Sequence, residues 1–158
     1  MKKTIILLLA TSTIYAGGVF SVGSKNVSIT AGTDNSFGNN YTILGVNVNY
    51  FIIDNLALGA SYQAYLGGTP DINQVTIPLT YYVPLEKLPF SPYLGVYYTK
   101  TFIEDPFDDY DIYGGRVGVS MKTSNNSYMS FGWVQEFDSS STGIKKRGYP
   151  EVSAGIAF

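Results

Sequence analysis

The sequence of 158 residues contains neither cysteine nor histidine. Without cysteine the chain can form no disulfide, thiolate metal site or thiol nucleophile. Without histidine it lacks the commonest general base and metal ligand. Charged residues make up only 14% of the chain, whereas a typical soluble domain has roughly 25%. Beyond its first few turns the chain also has no apolar run of about 18 residues, which excludes a helical membrane protein.

Aromatic residues and glycine are abundant instead, with 14 Tyr, 9 Phe, 1 Trp and 17 Gly. Apolar and small polar residues alternate with a period of two, and clusters of Gly, Asn, Asp, Ser and Pro interrupt the alternation. This pattern predicts seven strands at 41–52, 56–66, 75–83, 92–102, 112–122, 128–137 and 149–158. An eighth strand is expected near Val27–Gly32, where Val27, Ile29 and Ala31 alternate with smaller residues.

The first sixteen residues have the pattern of a secretory signal peptide. Lys2 and Lys3 precede a short apolar core, Thr4–Ala10, and small residues follow as far as Ala16. The apolar part is too short to span a bilayer. We therefore expect residues 1–16 to be removed and residues 17–158 to form one exported domain.

The two faces of the predicted strands distinguish a soluble barrel from a membrane barrel. A soluble barrel would cover its outer face with charges, but the less apolar face here carries Gly, Ser, Thr, Asn and Tyr. Such side chains fit the interior of a narrow barrel, and the apolar face with its aromatic residues then meets lipid. The sequence predicts an all-β fold, an eight-stranded antiparallel up-and-down transmembrane β-barrel.

The connections are expected to alternate in length. Longer ones are predicted at Gly32–Asn40, Gly67–Gln74, Ile103–Asp111 and Asp138–Gly148. In an eight-stranded barrel these face outward, and both termini are then periplasmic. Pro78 stands inside a predicted strand and removes a hydrogen-bond donor, so we expect a bulge or local widening there.

Two segments resemble a known family. Tyr50–Gly59 (YFIIDNLALG) resembles a strand–turn–strand element of the small outer-membrane β-barrel domain family, the OmpA/OmpX-like barrels of Gram-negative bacteria. The last strand ends in Phe158 after alternating apolar residues and resembles the signal that the outer-membrane assembly machinery reads. The resemblance implies a barrel-only protein of the outer membrane. It implies no particular activity, because such barrels carry many functions.

Three charged residues are predicted to point into the barrel from its last three strands: Arg116, Glu136 and Glu151. Buried charges must be paired, so one interpretation is a salt-bridge cluster that fills the lumen. The alternative is an ion path or small gate. The narrow cross-section of an eight-stranded barrel favours the filled lumen.

Two connections are charged. The first carries Glu104, Asp105, Asp108, Asp109 and Asp111 and is either a solvated acidic loop or a binding loop for a divalent cation. The second carries Lys145, Lys146 and Arg147, which could contact lipopolysaccharide phosphates or pair with the acidic loop. Lys100 is predicted to face lipid and reach the outer head groups.

These features predict a non-enzymatic, monomeric outer-membrane barrel with a structural or surface-interaction role. The alternative is a narrow pore or a barrel that binds a small ligand. No cofactor is expected, and the expected partners are outer-membrane lipids, lipopolysaccharide and the assembly machinery. Nucleic acid is not expected as a partner, because the chain has a net charge of −2.

Deletion of Phe158 should lower the yield of folded protein in the outer membrane more than the loss of one ring's burial would explain. The expected cause is loss of the assembly signal. Heat-modifiable gel mobility of membrane fractions measures the folded share. Equal levels of folded protein with and without Phe158 would refute this role.

Overall fold

A computed structural model describes residues 19–85, 88–138 and 145–158, without the side chains of Asp34, Asn35 and Lys145. The predicted signal peptide, residues 1–16, lies outside the described residues. The described chain forms eight strands. They are β1 (Lys25–Ser36), β2 (Asn39–Ile53), β3 (Leu56–Leu66), β4 (Ile72–Tyr82), β5 (Phe90–Ile103), β6 (Tyr110–Lys122), β7 (Ser127–Asp138) and β8 (Lys145–Ala157).

The strands form a closed barrel in which each strand pairs antiparallel with its neighbour in sequence. The predicted up-and-down barrel is therefore confirmed. The wall closes where β1 meets β8, through five residue pairs from Asn26↔Ala157 to Thr30↔Ser153. Just below them, the backbone groups of Lys25 and Phe158 exchange two hydrogen bonds of 3.1 and 2.8 Å. In the described part of the chain, no helix has the length and apolarity needed to span a membrane.

The barrel has two ends, which differ in the connections they carry. We call the end with Lys25 and Phe158 the terminal end, and the opposite end the loop end. The predicted alternation in connection length is wrong: the terminal-end connection 83–89 is longer than the loop-end connections 67–71 and 104–109. The strands extend into residues that the sequence pattern predicts as loops. The pattern does not distinguish these strand ends from loops, because short polar residues are common in loops and at strand ends.

The largest such difference is the hairpin between β1 and β2. The predicted loop Gly32–Asn40 is wrong, because the ladder runs up to the pair Ser36↔Asn39. Only Phe37 and Gly38 form the turn, with φ of 53° and 76°. Two successive positive φ values are typical of a type I′ turn, whose twist matches that of the strands.

Burial confirms the predicted assignment of the two faces. Asn26, Thr80 and Ser120 are at most 1% exposed, whereas Ile29 and Val96 are 66% and 61% exposed. Polar side chains thus fill the interior, and large apolar side chains cover the outside. This is the reverse of a soluble barrel and fits a lipid-facing wall.

The ladder between β3 and β4 is interrupted at Pro78, where the sequence predicts a bulge or local widening. β3 and β4 pair at Leu58↔Leu79 and again at Ser61↔Thr76, in the same register, and the two pairs between them are missing. A Cβ atom added at Gly59, opposite Pro78, would lie 3.0 Å from Pro78 Cγ. Because Pro78 has no backbone N–H to donate, two residue pairs are absent from the ladder, and the register is the same on both sides of the gap.

Glycines make room for tyrosine rings inside the barrel. A Cβ atom on Gly118 would lie 2.6 Å from the hydroxyl oxygen of Tyr93, and one on Gly155 would lie 2.6 Å from that of Tyr128. Real Cβ atoms do not approach so closely. The excess of both residue types in the composition thus reflects how a narrow lumen is filled.

Residues that precede β1 close the terminal end. Val19 and Phe20 are only 3% and 6% exposed. The ring of Phe20 stacks on Tyr82 with centroids 4.2 Å apart, and Phe51 and Tyr128 pack beside it. The Phe20 carbonyl accepts a 2.8 Å hydrogen bond from the backbone N–H of Asn55. We call residues 19–24 the cork.

Phe20→Ala should lower the free energy of unfolding in urea by about 3 kcal/mol, the usual cost of truncating a buried Phe. Val22→Ala is the matched control, because Val22 belongs to the same segment but is 53% exposed. The control should change the unfolding free energy by less than about 0.5 kcal/mol. Equal losses in both variants would show that Phe20 is not anchored in the barrel.

Candidate functional site

Arg116 lies in the middle of the lumen and forms an ion pair with Glu151. The Arg116 Nη1–Glu151 Oε1 distance is 3.4 Å, and the two side chains are 18% and 16% exposed. Nη2 of Arg116 also donates a 2.9 Å hydrogen bond to Thr80 Oγ1. The guanidinium carbon lies 5.9 Å from the ring centre of Tyr93. The side chain thus links β4, β5, β6 and β8 across the interior.

Glu136 lies in a second polar cluster nearer the loop end. Its Oε1 accepts hydrogen bonds from the hydroxyls of Tyr149, at 2.8 Å, and Tyr97, at 3.2 Å. Its Oε2 lies 3.4 Å from Nε of Arg147. The carboxylate is thereby satisfied by three donors although its side chain is only 9% exposed.

The three charged residues that the sequence predicts as one cluster therefore belong to two separate ion pairs. Within the described chain, no hydrogen bond or ion pair joins Arg116 to Glu136. The partner of Glu136 is Arg147, which the sequence predicts, together with Lys145 and Lys146, as a contact for lipopolysaccharide phosphates or for the acidic loop. Arg147, Tyr149 and Glu151 occupy every second position of β8, and the last two point inward. The same spacing places Arg147 on the inner face, which is the signal in the sequence that could have revealed its contact with Glu136.

The space around the two ion pairs is small. One cavity of about 20 Å³ borders Arg116, Tyr93 and Glu151, and another of about 30 Å³ borders Arg116, Glu136 and Tyr149. A water molecule needs about 10–15 Å³ in such a cavity. The first cavity therefore has room for one or two waters and the second for two or three, and the side chains of Arg116 and Glu151 border both.

A third group of side chains fills the lumen at the loop end. Tyr41, Tyr65 and Ile72 are 1%, 6% and 3% exposed and pack together. The Tyr41 hydroxyl donates a 2.9 Å hydrogen bond to the Pro70 carbonyl in the β3–β4 connection. Nδ2 of Asn39 donates a 2.7 Å bond to the Thr69 carbonyl in the same connection. The start of β2 is thereby tied to the β3–β4 connection.

The carboxylates of the predicted cation-binding loop point to different partners. Glu104 Oε2 accepts from the backbone N–H of Asp71 at 3.4 Å, and Asp109 Oδ1 accepts from that of Ile103 at 3.1 Å. Asp111 lies 3.3 Å from Lys100 Nζ. Among the described residues, no three carboxylates or other metal-ligating side chains are close enough to hold a metal ion. The geometry gathers no metal centre here.

The outer wall carries a polar group near the loop end. Lys100, predicted to face lipid, is 35% exposed and pairs with Asp111 on the neighbouring strand. The Tyr98 hydroxyl donates a 2.9 Å hydrogen bond to the same carboxylate. Lys146 is exposed on β8, and Phe137 of β7 is its cross-strand partner. Basic and aromatic side chains thus lie together on the outer wall.

Comparison with known proteins bears on the fold. No protein-family model matches the chain, and no curated protein matches it. Solved structures do match. The N-terminal β-barrel domain of Pseudomonas aeruginosa OprF has a TM-score of 0.67 and 14% identity, over 87% of this chain and 98% of that domain. Neisserial surface protein A has a TM-score of 0.55 and 20% identity, over 85% and 94%. Ail, the attachment invasion locus protein of Yersinia pestis, has a TM-score of 0.51 and 13% identity, over 87% and 99%.

The chain has the fold of the small eight-stranded outer-membrane β-barrels. The resemblance drawn from Tyr50–Gly59 and the last strand is confirmed at the level of fold. The lumen of this barrel holds the two ion pairs.

Arg116→Ala should lower the free energy of unfolding in urea by about 3 kcal/mol, because it leaves the Glu151 carboxylate in the lumen without a cationic partner. Adding Glu151→Gln should recover much of this loss, since a neutral amide is cheaper to bury. Adding Glu136→Gln to Arg116→Ala is the matched control and should recover nothing, because Glu136 keeps Arg147 and two tyrosines. If the effects of Arg116→Ala and Glu151→Gln simply add, the pair contributes no coupling energy.

Proposed function

We propose that the chain is a non-enzymatic protein of the bacterial outer membrane that presents its loop-end turns at the cell surface, in a structural or surface-interaction role. The observation that carries the proposal is the filling of the lumen at three levels. The cork, the Arg116–Glu151 pair and the group formed by Tyr41, Tyr65 and Ile72 follow one another along the barrel. A lumen filled in this way supports a surface role over solute transport.

The position of the two chain ends supports an orientation in the membrane. Both ends of the barrel domain, Lys25 and Phe158, meet at the terminal end. In outer-membrane barrels with an even strand number the termini are periplasmic. We propose the same here, which directs the β1–β2, β3–β4 and β5–β6 turns outward. The lack of histidine and cysteine in the sequence supports the non-enzymatic assignment.

Lipid and lipopolysaccharide are the partners proposed for the outer wall. Lys146 and Lys100 are exposed or partly exposed near the loop end, where anionic outer-leaflet head groups would lie in this orientation. Arg147 is directed to Glu136 and contributes less to such contacts. Assembly by the outer-membrane machinery and a monomeric state complete the proposal.

Single-cysteine labelling tests this topology cleanly, because the natural chain has no cysteine. In intact cells a membrane-impermeant maleimide should label Asp108→Cys, which lies at the loop end. It should label Asn125→Cys, in the terminal-end turn of β6 and β7, only after the outer membrane is permeabilised. Asp108 and Asn125 are both exposed in the structure, so a difference in their labelling reports the side of the membrane and not burial.

The reverse labelling pattern would contradict the proposed orientation. Recovery of the protein in the soluble periplasmic fraction would contradict the membrane location itself. Heat-modifiable mobility of each cysteine variant verifies that the barrel is folded before labelling is compared.

A further inference from the structure

Two aromatic side chains are exposed beyond the barrel wall at the loop end. Most exposed large apolar side chains lie on the strands, where the barrel meets lipid. Among the described residues, five lie outside the strands: Val22, Leu88 and Phe158 at the terminal end, and Phe37 and Phe107 at the loop end. The ring centroids of Phe37 and Phe107 are 4.8 Å apart. We call this pair the aromatic clasp.

The clasp crosses the mouth of the barrel. Phe37 is at the tip of the β1–β2 hairpin, and Phe107 lies in the β5–β6 connection, on the opposite side of an eight-stranded ring. Although the rings contact each other, Phe37 remains 47% exposed and Phe107 43% exposed. The contact therefore leaves a continuous apolar surface open to the solvent above the mouth. Exposed apolar patches outside the lipid region commonly mark interaction sites.

The position of Phe37 has a conformational cost. Its φ of 53° is in the left-handed region, which Asn or Gly adopts readily and a bulky residue adopts only with strain. Asn before Gly38 would give the preferred sequence for such a turn. A phenylalanine at this position thus opposes the local preference of the turn. Strain of this kind is concentrated at functional positions.

The connection that carries Phe107 is acidic. The connection 104–109 reads EDPFDD, so Phe107 lies between Asp105 and Asp108. Both carboxylates are exposed, and neither has a hydrogen bond or ion pair with the described part of the chain. The connection contains no basic residue. The clasp therefore offers an apolar aromatic surface beside negative charge that no described residue pairs, and its complement is a positive charge beside an apolar group.

We propose that the aromatic clasp, together with Asp105 and Asp108, is a docking surface for a cationic peptide segment in which Lys or Arg adjoins an apolar side chain. The rings receive the apolar side chain, and a cation is attracted both by their faces and by the carboxylates. This inference rests on the proposed function, because a surface partner reaches the clasp only if the loop end faces outward.

The test uses the full mature barrel in phosphatidylcholine nanodiscs, whose neutral lipid does not attract the probe by charge. The probe is the fluorescein-labelled peptide Lys-Phe-Lys-Phe-Lys, and binding is measured by fluorescence anisotropy at low and at physiological salt. We expect Phe107→Ser and Phe37→Asn each to raise the Kd at least about tenfold. Phe37→Asn suits the left-handed turn, so its loss of binding cannot be attributed to misfolding.

Three further comparisons separate the contribution of the rings from that of the carboxylates. Asp105→Asn with Asp108→Asn should weaken binding and remove most of its salt dependence. Leu88→Ser is the matched control, because Leu88 is 49% exposed at the terminal end, and it should leave the Kd unchanged. A peptide with Glu in place of Lys should bind at least about tenfold more weakly.

Unchanged affinity of Phe37→Asn and Phe107→Ser would overturn the proposal. Equal weakening by Leu88→Ser, or equal binding of the Glu peptide, would also overturn it, because either means nonspecific apolar adhesion. The cysteine labelling distinguishes a failure of the docking surface from a failure of the proposed orientation. Labelling of Asp108→Cys in intact cells without peptide binding rejects the clasp and leaves the proposed function standing. Peptide binding without such labelling rejects the orientation alone.

Discussion

The interior of an eight-stranded barrel is only wide enough for side chains, and this limit determines much of the structure. Every inward position has to be filled without collision. The glycines opposite Tyr93 and Tyr128 meet this requirement by leaving space for the rings. Because the outer face is apolar, the polar groups of the chain are concentrated inside. The lumen must therefore be well packed and internally hydrogen-bonded at the same time.

The two ion pairs follow from this requirement. A charge in so confined a space needs a counter-charge and further hydrogen bonds, because burial without them is costly. Arg116 has Glu151 and Thr80, and Glu136 has Arg147 and two tyrosines. The contacts of Arg116 and the hydrogen bond from Tyr97 to Glu136 join strands that are not neighbours in the wall, whereas Arg147 and Tyr149 reach Glu136 from the adjacent strand. The polar interior thus has the role that an apolar core has in a soluble domain.

The fold was predictable because alternation is a strong signal wherever one face is apolar. It assigned the strands and both faces, and the neighbouring positions of Arg116 and Glu151 followed from the order of β6, β7 and β8. The β1–β2 hairpin was missed because its polar strand ends have no apolar face to alternate with. The cork was missed because Phe20 belongs to no strand, so its contacts depend on tertiary structure alone. The sequence pattern places Arg147 in a loop for the same reason, because polar residues are common both in loops and at the ends of strands.

The cork also has a consequence for the order in which the molecule forms. All strand pairings but one join consecutive strands, so four hairpins can form from local chain alone, while the seam between β1 and β8 needs the two ends of the domain to meet. Phe20 lies just ahead of that seam and touches β2, β4 and β7 together. Those strands surround it only once the sheet has curled into a ring. We therefore expect the cork to pack into the terminal end after the wall has closed. Its contacts then stabilise the closed barrel against separation of β1 from β8, which share only five residue pairs.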